Sequence, residues 1–424
     1  MPAPSTSSPE SSATRTPASS RAGTTSEREA ADFFGRHARP QHTIPLLPPK
    51  TRVLMAMSGG VDSSVAAARL HDAGHEVVGV TLHLWDYSTD PSGGTGHGRC
   101  CAPEDQYDAR RVADAVGFAH FTFDRRALFA RAVVEPFVDA YLAGETPSPC
   151  TACNREVKLA ELFALAERLG ASFVATGHYA RIVRNEKGSP CLAMGTDRAK
   201  DQSYFLYASP PEWLDRLAFP LGESTKADVR AEAIARGLPG AQKGESQELC
   251  FVPAASHAYV DFVSARAKGR VRPGAIVDEE GATIGQHDGV HRFTVGQRRG
   301  LGIALGHRAF VTRIDAERAT VHVGDERTLQ ARGAELSHVA LAEGTTLPVR
   351  ARVRVRYRHL GDDALVEPLP NGGARVVFDR PVRAVSRGQV AVFYAHDRVL
   401  GGGRIAAAMN DSAADAASTL PSSA

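Results

Sequence analysis

Long hydrophobic runs are absent from this chain of 424 residues. No apolar stretch approaches the roughly 20 residues that a membrane-spanning helix requires, and no apolar segment near the N-terminus indicates a signal peptide. We therefore expect a cytoplasmic protein that does not contact a membrane.

Cysteine is scarce, and neither sign of charge dominates. Six cysteines are too few for a disulfide scaffold in a chain of this length, so chemistry or metal binding is their expected use. A formal net charge of +2 does not by itself indicate a nucleic-acid partner, and any such surface must be local.

The composition and the hydrophobic patterning change several times along the chain. Alternating strand and helix patterns in the first half predict an α/β domain with a doubly wound parallel sheet, and short β runs separated by turns dominate the last third. The predicted segments are a disordered tail at 1–45, the α/β domain at 46–208, a mostly helical extension with Cys250 at 209–269, a small β-rich domain at 270–338, a β-barrel at 339–406 and a second disordered tail at 407–424.

The segment from Ser58 to Ser64 reads Ser-Gly-Gly-Val-Asp-Ser-Ser and lies between an apolar run and an alanine-rich stretch. Two glycines let the backbone approach an oxyanion, and the serine hydroxyls, the N–H groups and a helix starting near Val61 favour phosphate. No Gly-Lys-Ser/Thr follows, which excludes the P-loop of kinases and GTPases. The alternative is an ordinary Gly-Ser turn.

Cys150 and Cys153 lie in a loop that we expect to end at a helix capped by Asn154. A helix N-terminus lowers the pKa of a nearby thiol, which favours Cys153 as a nucleophile. Read alone, this C-x-x-C pair could equally be half of a zinc site or two incidental thiols.

The other cysteines carry weaker signals. Cys250 is flanked by polar residues, which favours a reactive thiol over a buried structural cysteine. Cys100 and Cys101 precede a predicted helix, where two loop thiols are favoured over a sulfur relay.

Four separated motifs resemble those of the bacterial tRNA-specific 2-thiouridylases, members of the ATP-pyrophosphatase superfamily. The resemblance runs from Val53 to about Ile405. Its motifs are the ATP loop at 56–63, Ala-Thr-Gly-His-Tyr at 175–179, Lys-Asp-Gln-Ser-Tyr-Phe-Leu at 200–206 and Phe-Thr-Val-Gly-Gln-Arg-Arg-Gly at 293–300.

The resemblance implies that ATP, with Mg²⁺, adenylates the C2 oxygen of the wobble uridine in tRNA and that a persulfide then replaces this oxygen with sulfur. By residue matching, Cys250 would carry the persulfide, Cys153 would be the nucleophile that helps to release the sulfur, and Asp62 would assist the activation. A disulfide between Cys153 and Cys250 would follow. The expected partners are tRNA and a persulfide donor or relay protein, and the expected state is a monomer.

The resemblance also implies two binding sets. The ATP-binding set is Ala56, Met57, Ser58, Gly59, Gly60, Val61, Asp62, Ser63, Leu82 and Gly177. The tRNA-binding set is Ser148, Pro149, Cys150, His178, Lys200, Asp201, Gln202, Arg356, Tyr357 and Gln389.

Cys150 departs from the pattern of many family members, which place an aspartate at this position. Other members have C-x-x-C here, so the resemblance to the family still holds. The additional cysteine allows a second mechanism. Cys150, Cys153 and Cys250 could hold an iron–sulfur cluster with one open iron that binds the transferred sulfur. The persulfide route is favoured, and the cluster remains the alternative.

Arginine occupies every second position from Arg352 to Arg358. In a strand these side chains share one face, and without interleaved acids they repel one another unless phosphates or carboxylates face them. We expect contact with the RNA backbone, and a solvated barrel surface is the alternative.

Two other classes of function are weighed against thiolation. A small-molecule adenylating ligase or amidotransferase would need an ammonia source, and no glutaminase domain is evident. A noncatalytic RNA-binding protein would not need Asp62 and the serines of the Ser58 loop.

Overall fold

The computed structural model describes residues 47–86, 103–185, 187–244, 249–252, 258–304 and 306–410, which belong to one compact unit. The tail predicted at 1–45, the interpretation of Cys100 and Cys101, and all but the first residues of the tail predicted at 407–424 lie outside these ranges. None of the helices within them has the length and apolar character of a membrane span.

The strands form three sheets. In chain order they are β1 Arg52–Ala56, β2 Glu76–His83, β3 Ala119–Asp124, β4 Phe173–Ala175, β5 Ala180–Arg184, β6 Pro190–Met194, β7 Leu217–Ala218, β8 Gly274–Val277, β9 Thr283–His287, β10 Phe310–Asp315, β11 Thr320–Gly324, β12 Gln330–Leu341, β13 Val349–Arg354, β14 Asp362–Pro368, β15 Ala374–Arg383, β16 Val390–Ala395 and β17 Arg398–Asn410.

The α-helices lie mostly in the first two thirds of the chain. They are α1 Val61–Asp72, α2 Pro103–Val116, α3 Arg126–Phe129, α4 Glu135–Leu142, α5 Pro149–Ala152, α6 Ala160–Leu169, α7 Ser203–Leu206, α8 Pro211–Leu214, α9 Lys226–Ala235 and α10 Ala258–Arg266. π-Helical segments, Ala130–Val134 and Cys153–Leu159, join α3 to α4 and α5 to α6, and 3₁₀ turns occur at Val290–Arg292 and Glu326–Leu329.

The first sheet is parallel and has the strand order β3-β2-β1-β4-β7. Leu54 packs into one hydrophobic cluster, whereas Val53 and Met55 pack into another, because alternate side chains of a strand point to opposite faces. Both faces are therefore covered, which confirms the predicted doubly wound α/β sheet. The chain order reverses between β1 and β4, so their carboxyl ends form a switch point that is typical of ligand sites.

Sequence patterning missed two small β elements. The hairpin β5–β6 does not join the parallel sheet; β6 pairs with β17 through Ala193 and Arg398. The two-residue strand β7 adds the fifth strand of the parallel sheet from within the segment predicted to be mostly helical. Both elements are fixed by distant partners, which a local pattern does not contain.

The C-terminal third forms the two β modules that the patterning predicts. A four-stranded sheet has the order β10-β11-β8-β9, and six strands in the order β12-β15-β14-β13-β16-β17 close into a barrel because β12 also pairs with β17. The barrel is confirmed, but two boundaries were wrong: β12 starts it at Gln330 rather than 339, and β17 continues to Asn410. β12 and β17, the first and last strands of the barrel, pair with each other, and this pairing extends both strands.

Candidate functional site

The Ser58 loop lies at the carboxyl end of β1, directly before α1. Gly59 has φ +71°, and a Cβ atom there would lie 2.0 Å from the carbonyl oxygen of Asp105 in α2. A Cβ atom on Gly177, which follows β4, would lie 2.9 Å from the backbone nitrogen of Ser63. Only glycine at these two positions therefore lets α2 approach the Ser58 loop, and the segment after β4 approach the start of α1, this closely.

The serines hold the loop in shape. The Oγ of Ser63 accepts a hydrogen bond from the backbone N–H of Ser58 at 3.2 Å and donates to the carbonyl of Gly60 at 3.1 Å. Ser64 donates to the same carbonyl at 2.9 Å. The N–H groups at the start of α1 are thus presented in a fixed arrangement, which suits an anionic group.

Asp62 is held by two side chains that sequence reasoning missed. The Lys226 ammonium lies 2.7 Å from each carboxylate oxygen, and the Tyr179 hydroxyl donates to Oδ1 at 2.8 Å. Lys226 is the first residue of α9, whose capping box joins Thr225 to Asp228. That capping box can be read from the sequence as a helix start, but nothing local indicates its proximity to Asp62.

A second ion cluster lies beside the loop. The Lys243 ammonium donates to Asp105 at 2.8 Å and contacts Asp108 at 2.5 Å, and both carboxylates are almost buried. Burial lowers the pKa of Lys243, but hydrogen bonds to Asp105 and Asp108 outweigh it and raise the pKa above its ordinary value. The carboxylates next to Gly59 are therefore neutralised by a lysine.

His178 lies near the loop as a neutral ring. Its Nδ1 is 2.7 Å from the Thr176 hydroxyl, and burial, with the Lys158 ammonium, lowers its pKa to about 3. At neutral pH this side chain can donate or accept a hydrogen bond, but it offers no charge to a phosphate.

The remaining members of the predicted ATP set lie in or beside the sheet. Ala56 ends β1, and Leu82 is buried in β2. The backbone N–H of Met57 donates to the carbonyl of Val80 at 2.8 Å, and its carbonyl accepts from the Thr81 hydroxyl at 2.8 Å. The entry to the loop is therefore fixed by β2.

The cysteine helix, α5 with the π-helical segment that follows it, begins earlier than predicted. Ser148 is the N-cap and Pro149 the first helical residue, so Asn154 lies inside the helix and the predicted Asn154 cap was wrong. Pro at the first helical position favours this start. Cys150, rather than Cys153, therefore lies in the first turn, where backbone N–H groups are available.

Cys153 is nearly buried and is the first residue of the π-helical segment. Such segments are uncommon and occur often at functional sites. The Nδ2 of Asn154 donates to the carbonyl of Phe205 at 3.4 Å, and its buried Oδ1 has no hydrogen-bond partner within the described ranges. Leu159, Leu162, Phe163 and Ala166, on the part of the helix that follows, are buried.

Cys250 lies next to an aromatic anchor. Phe251 is buried, with its ring centroid 5.1 Å from that of Phe137 and 5.3 Å from that of Phe262. Cys250 itself is half-buried. The anchor fixes the backbone that presents Cys250.

The donor arrangement does not fit a metal centre. Within the described ranges, which include Cys150, Cys153 and Cys250, no three His, Cys, Asp or Glu side chains are grouped so that they could hold a metal ion. The three cysteines of the iron–sulfur alternative are therefore not gathered into a ligand set within these ranges.

The arginine face differs from the prediction. Strand β13 ends at Arg354, so Arg356 and Arg358 do not continue it. Arg354 forms a buried salt bridge with Asp201 at 2.9 Å, and Arg352 lies 3.6 Å from Asp363. The carboxylates of Asp201 and Asp363 thus face two of the arginines, and the expectation that all four arginines share one face of a strand was wrong. Contact of these arginines with the RNA backbone stays a prediction.

Asp201 is therefore an internal residue. Its Oδ1 accepts from the backbone N–H groups of Gly195 and Ser203 at 3.2 and 3.1 Å, and its side chain is 1% exposed. The carboxylate therefore fixes the protein's own backbone and Arg354, and the tRNA contact of Asp201 stays a prediction.

Its neighbours in the same motif lie closer to the surface. The backbone N–H of Lys200 donates to the carbonyl of Asp197 at 3.1 Å, and the side chain is half-buried. Gln202 exchanges two 2.9 Å hydrogen bonds with the backbone of Tyr179.

The other predicted tRNA-contacting residues are partly accessible or lie near the cysteine helix. The ring of Tyr357 packs on Phe205 with centroids 4.5 Å apart, and Arg356 donates to the carbonyl of Arg383 at 3.1 Å. Gln389 donates to the carbonyl of Thr146 at 3.3 Å, shortly before Ser148. The barrel therefore reaches the segment that leads into the cysteine helix.

Three family profiles match consecutive parts of the chain. They are described as a tRNA methyl transferase HUP domain at 51–254, a tRNA methyl transferase PRC-barrel domain at 261–325 and an aminomethyltransferase beta-barrel domain at 332–405.

Among curated proteins, a tRNA-specific 2-thiouridylase MnmA from Sorangium cellulosum is 62% identical over 368 residues, with 86% of this chain and 94% of that protein covered. One from Moorella thermoacetica is 47% identical, with 83% and 98% covered. Among solved structures, a 4-thiouridine synthetase–RNA complex with bound ATP is 14% identical with a TM-score of 0.30, covering 52% of this chain and 51% of that chain. That likeness is too low to support an argument.

Proposed function

This chain belongs to the tRNA-specific 2-thiouridylase family and is a tRNA sulfurtransferase, and from this premise we propose that it adenylates the C2 oxygen of a tRNA uridine and then replaces that oxygen with sulfur. The observation that carries the proposal is the Ser58 loop at the switch point of the parallel sheet, with Lys226 placed on Asp62. The substrate base is the wobble uridine.

Activation is assigned to the loop and its two partners. The uridine O2 attacks the α-phosphorus of ATP, the bond to pyrophosphate breaks, and the base loses its N3 proton. N–H groups at the start of α1 bind the phosphates. Lys226 supplies a positive charge that stabilises the negative charge developing on the phosphates in the transition state. Its short contact with Asp62 keeps the ammonium in place before ATP arrives.

A Mg²⁺ ion bound with ATP would supply positive charge to the phosphates and favour departure of pyrophosphate. It commonly binds one or two carboxylates together with substrate phosphates, and Asp62 is the carboxylate that the loop itself offers.

Sulfur transfer is assigned to Cys250 and Cys153. The terminal sulfur of a Cys250 persulfide attacks C2, and AMP leaves with the former O2. The Cys153 thiolate then attacks the inner sulfur of Cys250, which releases 2-thiouridine and forms a Cys153–Cys250 disulfide. A thiol reductant supplies two electrons to restore both thiols, and a persulfide donor reloads Cys250.

RNA binding is assigned to the members of the predicted set that lie on the barrel and at the start of the cysteine helix. Arg356 and Tyr357 on the barrel, with Ser148, Pro149 and Cys150 on the cysteine helix, would flank the target nucleotide. The half-buried ring of Tyr357 offers a stacking surface, which supports this assignment.

Thiolation of unmodified tRNA with ATP and a persulfide donor tests the proposal, with nucleosides analysed by mass spectrometry. We expect Cys153→Ser and Cys250→Ser to yield no 2-thiouridine, because serine cannot form a persulfide or a disulfide. Cys191→Ser is the matched control, since Cys191 is buried in β6 and should leave the yield unchanged. Full product from either of the first two variants would refute the cysteine roles.

A further inference from the structure

The loop Gly144–Thr146, which leads from α4 towards the cysteine helix, carries a nearly buried acid that the proposed chemistry does not use. The Glu145 carboxylate contacts Arg387 at 3.0 Å and also pairs with Arg404, while Glu145 is 7% exposed. Arg404 belongs to β17, and Arg387 precedes β16. Both cations thus come from the C-terminal barrel.

Backbone contacts join the same two segments. The N–H of Thr146 donates to the carbonyl of Arg387 at 2.8 Å, and Gln389 donates back to the carbonyl of Thr146. Between them, Gly388 has φ +91°, and a Cβ atom there would lie 3.0 Å from both Thr146 O and Glu145 Cβ. The barrel turn and the loop therefore touch without room for a side chain between them.

The central β domain contacts the other end of this loop. Gly144 has φ +72°, and a Cβ atom there would lie 2.6 Å from Cγ2 of Ile314 in β10. Both C-terminal domains therefore fix the loop, and the cysteine helix begins at Pro149, three residues after Thr146.

We propose that Glu145 is a positioning residue for sulfur transfer: by pairing with Arg387 and Arg404 it holds the start of the cysteine helix against the barrel. Cys150 lies in the first turn of the cysteine helix and Cys153 follows directly after α5, so both cysteines come shortly after the loop that these pairs fix. The Ser58 loop, to which activation is assigned, lies on other elements and does not depend on the pairing of Glu145 with the two arginines. This inference rests on the proposed function, and its test separates the two.

Glu145→Gln removes the charge and keeps the shape of the side chain. We expect tRNA-dependent pyrophosphate release within about twofold of the wild type and 2-thiouridine per pyrophosphate reduced by about tenfold, since a misplacement of ~1 Å can cost ~100-fold. Glu335→Gln, which breaks a pair with Arg375 inside the barrel, is the control and should keep the ratio. An unchanged ratio in Glu145→Gln, or equal losses of both products, would overturn the proposal.

Charge exchange supplies a second variant. Glu145→Lys combined with Arg404→Glu restores one ion pair with the two charges exchanged. The double variant should therefore recover part of the 2-thiouridine per pyrophosphate that Glu145→Lys alone loses. No recovery would count against pairing as the cause.

Thiol alkylation without tRNA decides the positioning role independently of catalysis. Cys153 is 6% exposed, and its alkylation should be faster in Glu145→Gln, while Cys191 serves as the unchanged internal reference. Equal Cys153 rates in both proteins would overturn the proposal. A wild-type protein that makes no 2-thiouridine would instead refute the proposed function and leave the alkylation result valid.

Discussion

At the residue scale, the proposed activation step depends on the contact between Lys226 and Asp62. The ammonium is largely buried and lies 2.7 Å from both carboxylate oxygens. Its charge is therefore poorly screened by solvent and is already oriented, two conditions under which electrostatic stabilisation of a transition state is strongest.

Lys226→Met removes that charge and keeps most of the side-chain volume. We expect tRNA-dependent pyrophosphate release to fall by about 100-fold or more, since removing one electrostatic stabiliser costs ~100-fold to ~1000-fold. The measurement is a pyrophosphate assay at saturating ATP. Lys187→Met, at an exposed position of the β5–β6 hairpin, is the control and should behave as the wild type. Equal rates in both variants would remove Lys226 from the mechanism.

At the scale of elements, close packing around Gly59 shapes the loop. The carbonyl of Asp105 occupies the space where a side chain would begin, and the same residue pairs with Lys243. The N-terminal part of α2 and the segment of Lys243 are therefore built against the loop, and a change in the loop must displace them.

Gly59→Ala tests this packing. The new Cβ atom would lie 2.0 Å from the Asp105 carbonyl, so we expect α2 to shift and ATP binding, measured by calorimetry, to weaken by more than tenfold. Gly74→Ala is a matched control, because Gly74 also has a positive φ, +81°, but no atom lies within 4 Å of its Cβ position. Equal ATP affinity in the two variants would contradict the role assigned to the close approach at Gly59.

Elements with a strong local signal were predictable from the sequence. The alternation of strand and helix patterns in the first half predicts the parallel sheet, and the two glycines of the Ser58 loop predict a backbone that other groups can approach closely. The start of the cysteine helix was misplaced because Asn154 is a favoured capping residue, whereas the helix begins at Pro149, after Ser148.

Contacts between distant segments were not predictable in this way. The arginines of β13 look unpaired in the sequence because Asp201, which pairs with Arg354, lies in another domain. Lys226 lies 164 residues from Asp62 along the chain, so only the folded sheet brings the two together.

At the scale of the whole molecule, the two halves of the proposed reaction lie on different elements of one α/β domain, and the barrel contacts the second half. The Ser58 loop follows β1, Cys153 lies at the end of α5, and Cys250 precedes the Phe251 anchor. The barrel reaches the cysteine helix through Glu145 and Gln389. A tRNA bound to the barrel would therefore be located relative to the cysteines.

The central claim is that ATP activates the C2 oxygen of uridine before sulfur replaces it. It is tested most directly by following that oxygen. A tRNA whose target uridine carries ¹⁸O at C2 is thiolated with unlabelled ATP, and the AMP formed is analysed by mass spectrometry. The account predicts one ¹⁸O atom in AMP for each 2-thiouridine formed. Thiolated product accompanied by unlabelled AMP, with the ¹⁸O in water or pyrophosphate, would contradict it.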